Sequence, residues 1–138
     1  MGTPPPAGWV EIPGQLKKTA SVTLNAGGTG YVSFDPDNAR QRWVITQCVV
    51  TTNQASTATV VPVATLALNS NALSTMSPGN QRGSTWSANQ DTWTGAEDVG
   101  PCDSMAVLFS PPPGQSGTPL SGVICTAVIT GTKYTRRA

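Results

Sequence analysis

Apolar and polar residues alternate along this chain in short runs broken by Gly, Pro, Asn and Asp, the pattern of half-buried strands rather than helices. The clearest run is 104–110 (SMAVLFS), where Met105, Val107 and Phe109 point one way. Residues 20–25 (ASVTLN) put Val22 and Leu24 on one face. Residues 31–35 (YVSFD) follow a glycine-dense AGGTG, which supplies the positive-φ positions of a hairpin turn. Asp35-Pro36-Asp37-Asn38 is a turn signal. Residues 42–52 (RWVITQCVVTT) then read as a long central strand with apolar residues in both phases, which predicts cover on both sides for part of its length. Its expected partner is 58–68 (ATVVPVATLAL), where Pro62 cannot donate a ladder bond and marks an edge, a bulge or a break. Residues 69–83 read as loop, and 83–88 (GSTWSA) and 91–94 (DTWT) as two short strands or parts of one excursion. After the Pro-Pro-Pro-Gly loop, 122–134 (GVICTAVITGTKY) closes the chain.

No stretch carries helix formers at a spacing of 3.6 residues, and Thr, Val and Ile dominate the ordered runs. Seven or eight strands separated by turns predict an all-β fold, a single β-sandwich of jelly-roll or Greek-key type. Its 138 residues suffice for one buried core. The expected division is an extended Pro-rich N-terminal arm over 1–15 and a sandwich domain over 16–138.

Charge changes this picture. Eight basic and seven acidic side chains make up 11% of the chain, against about a quarter in an ordinary soluble domain, and there is no His. Polarity comes from Ser, Thr, Asn, Gln, Gly and Pro. A chain with so little charge to hold copies apart suits a place packed among neighbours. The net charge of +1 gives no field to attract nucleic acid or an acidic membrane. The start, MGTPPPAGWVEIPG, lacks the basic and apolar regions of a signal peptide. Apolar runs such as 60–68 fall short of the roughly 20 residues that cross a bilayer.

The chemistry on offer is sparse. A Ser or Cys nucleophile normally needs a base, most often His. The acids Glu11, Asp35, Asp37, Asp91, Glu97, Asp98 and Asp103 lie mostly in turns, where capping accounts for them. An enzyme is therefore not expected, nor any cofactor. Asp35, Asp37 and Asn38, or Asp91, Glu97, Asp98 and Asp103, offer hard oxygens to calcium, but their spacing does not match an EF-hand, and ordinary turn acids are the simpler reading. Cys48 and Cys125 lie in strand-like runs and read as buried thiols. Cys102, in the turn GPCD, is a further reduced thiol or one half of a disulfide.

Four tryptophans are the more informative residues. Trp43 reads as core. Trp9, with Pro4, Pro5, Pro6 and Ile12, forms an arm whose aromatic anchor would plug a groove on another subunit. Trp86 and Trp93, beside Asn89 and Asp91, would make either a sugar-stacking or interface platform or an inward-packed cover for the end of the sandwich. Lys133, Arg136 and Arg137 near the C-terminus, like Lys17 and Lys18, are either solvated or a salt-sensitive contact with an acidic partner.

The order of the pieces resembles a known group. GTGYVSFDPDNARQRWVITQCVVTT, PVATLALN, GSTWSANQDTWTGAEDVGPCDSMAVLFS and VICTAVITGT are similar to small minor tail or virion accessory proteins of tailed bacteriophages of actinobacteria. In those chains a GT-aromatic-S-G-N-x-D segment precedes a D-V-x-P-G-D-x-L turn, and an A-T-L-x-V-x-G-T-like strand ends the chain. Residues 84–91, 98–105 and 126–132 echo these, with Cys102 where Gly is commoner. The resemblance covers roughly residues 20–132. It implies a β-sandwich in a virion, bound to tail or capsid proteins as a symmetric oligomer such as a trimer, and it carries over no catalytic residue. A carbohydrate-binding or adhesin-like module that stacks a host glycan on Trp86 and Trp93 is the competing expectation.

Overall fold

The computed structural model describes residues 8–36, 40–55, 57–68, 89–101 and 103–136, together with the backbone of 85–86. Among these residues nine strands follow in chain order: β1 (Trp9–Glu11), β2 (Leu16–Thr23), β3 (Gly30–Phe34), β4 (Gln41–Thr52), β5 (Val63–Leu68), β6 (Thr85–Trp86), β7 (Gln90–Val99), β8 (Met105–Ser110) and β9 (Ile124–Arg136). Among the described residues a 3-10 turn, Thr118–Leu120, precedes β9 and buries Leu120. All pairings are antiparallel.

The strands form two sheets. The first runs β2-β9-β4-β7, with β1 extending the β2 side of β9; the second runs β3-β8-β5-β6. Strands two to nine thus follow the order of an eight-stranded jelly roll, with β2, β4, β7 and β9 in one sheet and β3, β5, β6 and β8 in the other, the architecture expected from the strand spacing. The core between the sheets is contiguous, and Trp43, Ile45, Leu66, Val99, Met105, Val107 and Ile129 are almost wholly withdrawn from water. Burial of each such side chain stabilises the fold by about 1.5–3 kcal/mol. Met105, Val107 and Phe109 of β8 all face inward, as their alternation predicts.

Three sequence expectations are corrected. The glycine-rich segment after β2 does not close a hairpin, because β2 and β3 lie in different sheets. It is a crossover, pinned by Asn25, whose Oδ1 accepts the Gly27 and Thr29 amides. Gly28 turns the chain there at φ +78°, so close to the 117 loop that a Cβ would lie 2.6 Å from the Gly117 carbonyl oxygen. Likewise β5 is not the partner of β4. It starts after Pro62 and joins β8 in the second sheet, whereas β4 lies between β7 and β9.

The two apolar phases of β4 have a different cause from the one expected. A register shift between Ile45 and Gln47 leaves Thr46 without a counterpart on β9. The bulge moves the inward phase by one residue, so that Trp43 and Ile45 before it and Cys48 and Val50 after it all face the core. Of the apolar residues of β4, only Val44 and Val49 are left on the outer face, half-buried.

Candidate functional site

The N-terminal segment ends inside the first sheet. Trp9, Val10 and Glu11 pair with Arg136, Thr135 and Tyr134, and the Ile12 amide donates to the Lys133 carbonyl at 2.8 Å. Residues directly opposite in an antiparallel ladder share a face, so Trp9, Tyr134, Arg136 and Arg42 meet on the outer side of this sheet. Two guanidiniums approach the Trp9 ring, Arg136 at 5.4 Å and Arg42 at 5.8 Å from its centre. Arg42 is held from its other side by both oxygens of Asp98, with Nε donating to Oδ1 at 2.7 Å. That bidentate hydrogen bond, outweighing the cost of partial burial, holds the guanidinium above its ordinary pKa.

This arrangement corrects the arm expectation for residues 9–12. Trp9 is only 7% exposed and is consumed by the chain's own C-terminal strand. No free anchor remains at that position. Arg136 serves the same latch, and its amide donates to the Arg40 carbonyl at 2.9 Å. Lys133 is half-buried on the rung of Trp43. Pro4, Pro5, Pro6 and Arg137 lie outside the described residues.

Of the second expected platform, the side chains of Asn89, Asp91 and Trp93 are among the described residues. Trp93 lies opposite Cys48 on the core side of β7, half-buried, with its ring across Gly95. The Asn89 side chain ties a turn: Oδ1 accepts the Thr52 hydroxyl and Nδ2 donates to the Ala55 carbonyl at 3.2 Å. Asp91 is exposed and accepts the amide of Thr92 at 2.8 Å. Trp86 takes part in β6 through its backbone pairing with Ala64; its side chain lies outside the description.

The acids considered for calcium are similarly occupied. Asp98 holds Arg42, and Asp103 Oδ2 accepts the Gly100 amide at 2.8 Å. Glu97 is buried on the rung of Ile45. Asp37 and Asn38 lie outside the described residues, among which no cluster of three acids or thiols gathers. Cys48 and Cys125 are free buried thiols, and burial pushes them up to about 12 and about 11. They are poor nucleophiles at neutral pH. Cys102 falls outside the description.

The outer face of the second sheet presents a surface that belongs to none of the sequence motifs. Tyr31 of β3 is 64% exposed and stands on one rung with Leu108 and Thr65. It separates two hollows. The larger, of about 700 Å³, is lined by Val22, Asn25, Thr29, Tyr31, Leu108 and Ser110 among others; the smaller, of about 370 Å³, adds Ser33, Ser104 and Ala106. Among the described residues, neither lining contains a charged side chain. The signal was present in GYVSF, whose alternation sets Tyr31 and Ser33 opposite Val32 and Phe34.

No protein-family model and no curated protein matches the chain. Among solved structures it superposes on a chain of turnip yellow mosaic virus with a TM-score of 0.46 at 9% identity, covering 99% of this chain and 85% of that one. A chain from the crystal structure of FlhE gives a TM-score of 0.46 at 21% identity, covering 94% of this chain and 100% of that one. A chain from T=1 particles derived from infectious bursal virus gives 0.32 at 13% identity, covering 95% of this chain and 41% of that one. Likeness at this level fixes no function.

Proposed function

We propose that this chain is a non-enzymatic structural protein of a tailed-phage virion, a minor tail or capsid-decoration protein that works by binding its neighbours. Residues 84–91, 98–105 and 126–132, which resemble minor tail and accessory proteins, support the phage assignment. A jelly roll serves viral shells and lectins alike, so the fold alone does not choose between them. The observation that carries the reading is the outer face of the second sheet. There Tyr31 and Leu108 are exposed among Ser, Thr and Ala, with no charge among the described residues that line the adjoining hollows. An uncharged face with an exposed aromatic at its centre suits burial against other protein, since charged groups are depleted from the centres of interfaces.

The N-terminal residues before β1 give the attachment a second element, and they can be tested separately from the fold. A chain beginning at Gly8 keeps β1 and the Trp9 latch intact. Expressed in place of the full chain, it is expected to melt at the same temperature and to be lost from purified particles. Normal incorporation of the truncated chain would refute attachment through the arm. Binding of host glycans by the purified protein, abolished by Trp93→Ala, would favour the carbohydrate-binding alternative instead.

A further inference from the structure

The free sheet edges of this sandwich are not equivalent. On the first sheet, β2 carries Lys17 and Lys18, and Lys18 turns to the inner face, on the rung of Ile129 and Cys48. At the other side of that sheet β7 carries Asp91, Glu97 and Asp98 and is broken by the register shift opposite Thr46. Charges, inward-pointing lysines and bulges are the devices that stop edge strands from adding further strands. The β1 edge is three residues long and ends in Glu11, and β6 is two residues long.

The β3 edge has none of these guards. Gly30–Phe34 (GYVSF) contains no charge and no proline, and it pairs with β8 in unbroken register. Its far side pairs with no other described strand. The exposed Tyr31 and Ser33 stand along it on the outer face.

We infer that β3 is a docking edge for β3 of a second copy of this chain, with the two strands antiparallel about a two-fold axis at Val32. In that register Tyr31 of each copy lies opposite Ser33 of the other, and Gly30 lies opposite Phe34. The second sheets of the two sandwiches then join into one continuous sheet. The partner follows from what the edge accepts: an uncharged, unbulged strand with its amides available. Among the described edge strands β3 itself is the one that offers this over five residues, and the Pro4-Pro5-Pro6 run lacks the amides that a strand must donate.

Electrostatics permits the pairing. Asp35, the nearest charged residue after β3, lies opposite Thr29 of the second copy. The two Asp35 side chains are then about six residues apart along the ribbon, roughly 20 Å at 3.3 Å per residue, beyond a Debye length of about 8 Å at physiological salt. A two-fold contact of this kind closes on itself, so it makes pairs and cannot alone build a ring of three. The inference stands independently of the virion reading, because it concerns purified protein.

Sedimentation equilibrium of the full chain tests it. The wild-type mass is expected to rise with concentration from one chain of 14.2 kDa towards two. The double substitution Tyr31→Lys with Ser33→Lys, at two exposed positions, is expected to stay at one chain with an unchanged melting temperature, while Ser33→Thr still pairs. Amide exchange over 30–34 should slow with concentration in the wild type, with no change along β2 or β7. A wild-type chain that remains single at millimolar concentration overturns the inference. So does a double-lysine variant that pairs as well as the wild type.

Discussion

Gly131 lies opposite Ile45 across the β4–β9 ladder, and the two backbones approach so closely that a Cβ on Gly131 would sit 2.9 Å from the Ile45 Cα and collide with the Val44 carbonyl oxygen. The approach coincides with the Thr46 bulge, where β4 gains a residue and bends. Gly131→Ala must push apart the two longest strands of the first sheet. Overpacking of this kind typically costs about 1–3 kcal/mol, and against rigid backbone the upper end, about 3 kcal/mol, is expected. Gly122→Ala meets no atom within 4 Å and suffers only from its φ of +82°, so about 1 kcal/mol is expected there. Urea unfolding of the two variants checks the order.

The Trp9 latch yields a second expectation. Trp9→Ala removes a buried ring and its two guanidinium contacts, so a loss of about 3 kcal/mol is expected, the low end for a buried tryptophan. Because β1 has only three residues, the substitution should release it. Fast amide exchange of Val10 and Ile12 in Trp9→Ala, with β2 still protected, would show local release. Uniform protection across β1 would contradict it.

Arg42 and Asp98 separate two contributions. Their ion pair is partly exposed, and such pairs are worth at most about 1 kcal/mol. Asp98→Ala should therefore cost less than about 1 kcal/mol and lose part of that cost at high salt. Arg42→Ala also removes one of the two guanidinium contacts of Trp9. It should cost more than Asp98→Ala, and a double-mutant cycle with Trp9→Ala should show coupling that the Asp98 cycle lacks.

The buried thiols set a pH dependence with a definite sign. Burial raises Cys48 from 9.0 to about 12 and Cys125 from 9.0 to about 11. The unfolded chain therefore gives up these protons first as pH rises. The stability from the neutral buried thiols is complete below pH 9 and declines through the window up to about 11–12. Denaturant midpoints should fall across that window, and the fall should be smaller in Cys48→Ala measured against its own value at pH 8. At pH 8 the folded chain should leave both thiols unmodified by a thiol reagent that labels the unfolded chain at once.

Legibility of the sequence depended on whether a feature was local. Met105, Val107 and Phe109 alternate without interruption, and their inward face was plain from the pattern. In β4 the alternation breaks at Thr46, and a bulge and a two-sided strand leave the same apolar trace until the register with β9 is known. AGGTG has the same turn chemistry whether the chain folds back in one sheet or crosses to another, so the places of β2 and β3 could not be read locally. Trp9 was legible as an anchor but not its socket, because Arg42 and Arg136 come from strands far along the chain. Tyr31 was legible in GYVSF and was obscured by the more conspicuous tryptophans around Asn89.

Whether the chain is built into a particle is decided by quantitative mass spectrometry of purified particles from a culture that makes the protein. A built-in component is expected at a fixed copy number relative to the particle's other structural proteins, unchanged through repeated purification and high-salt washing. Absence from the particles, or a copy number that falls with each wash, would contradict it.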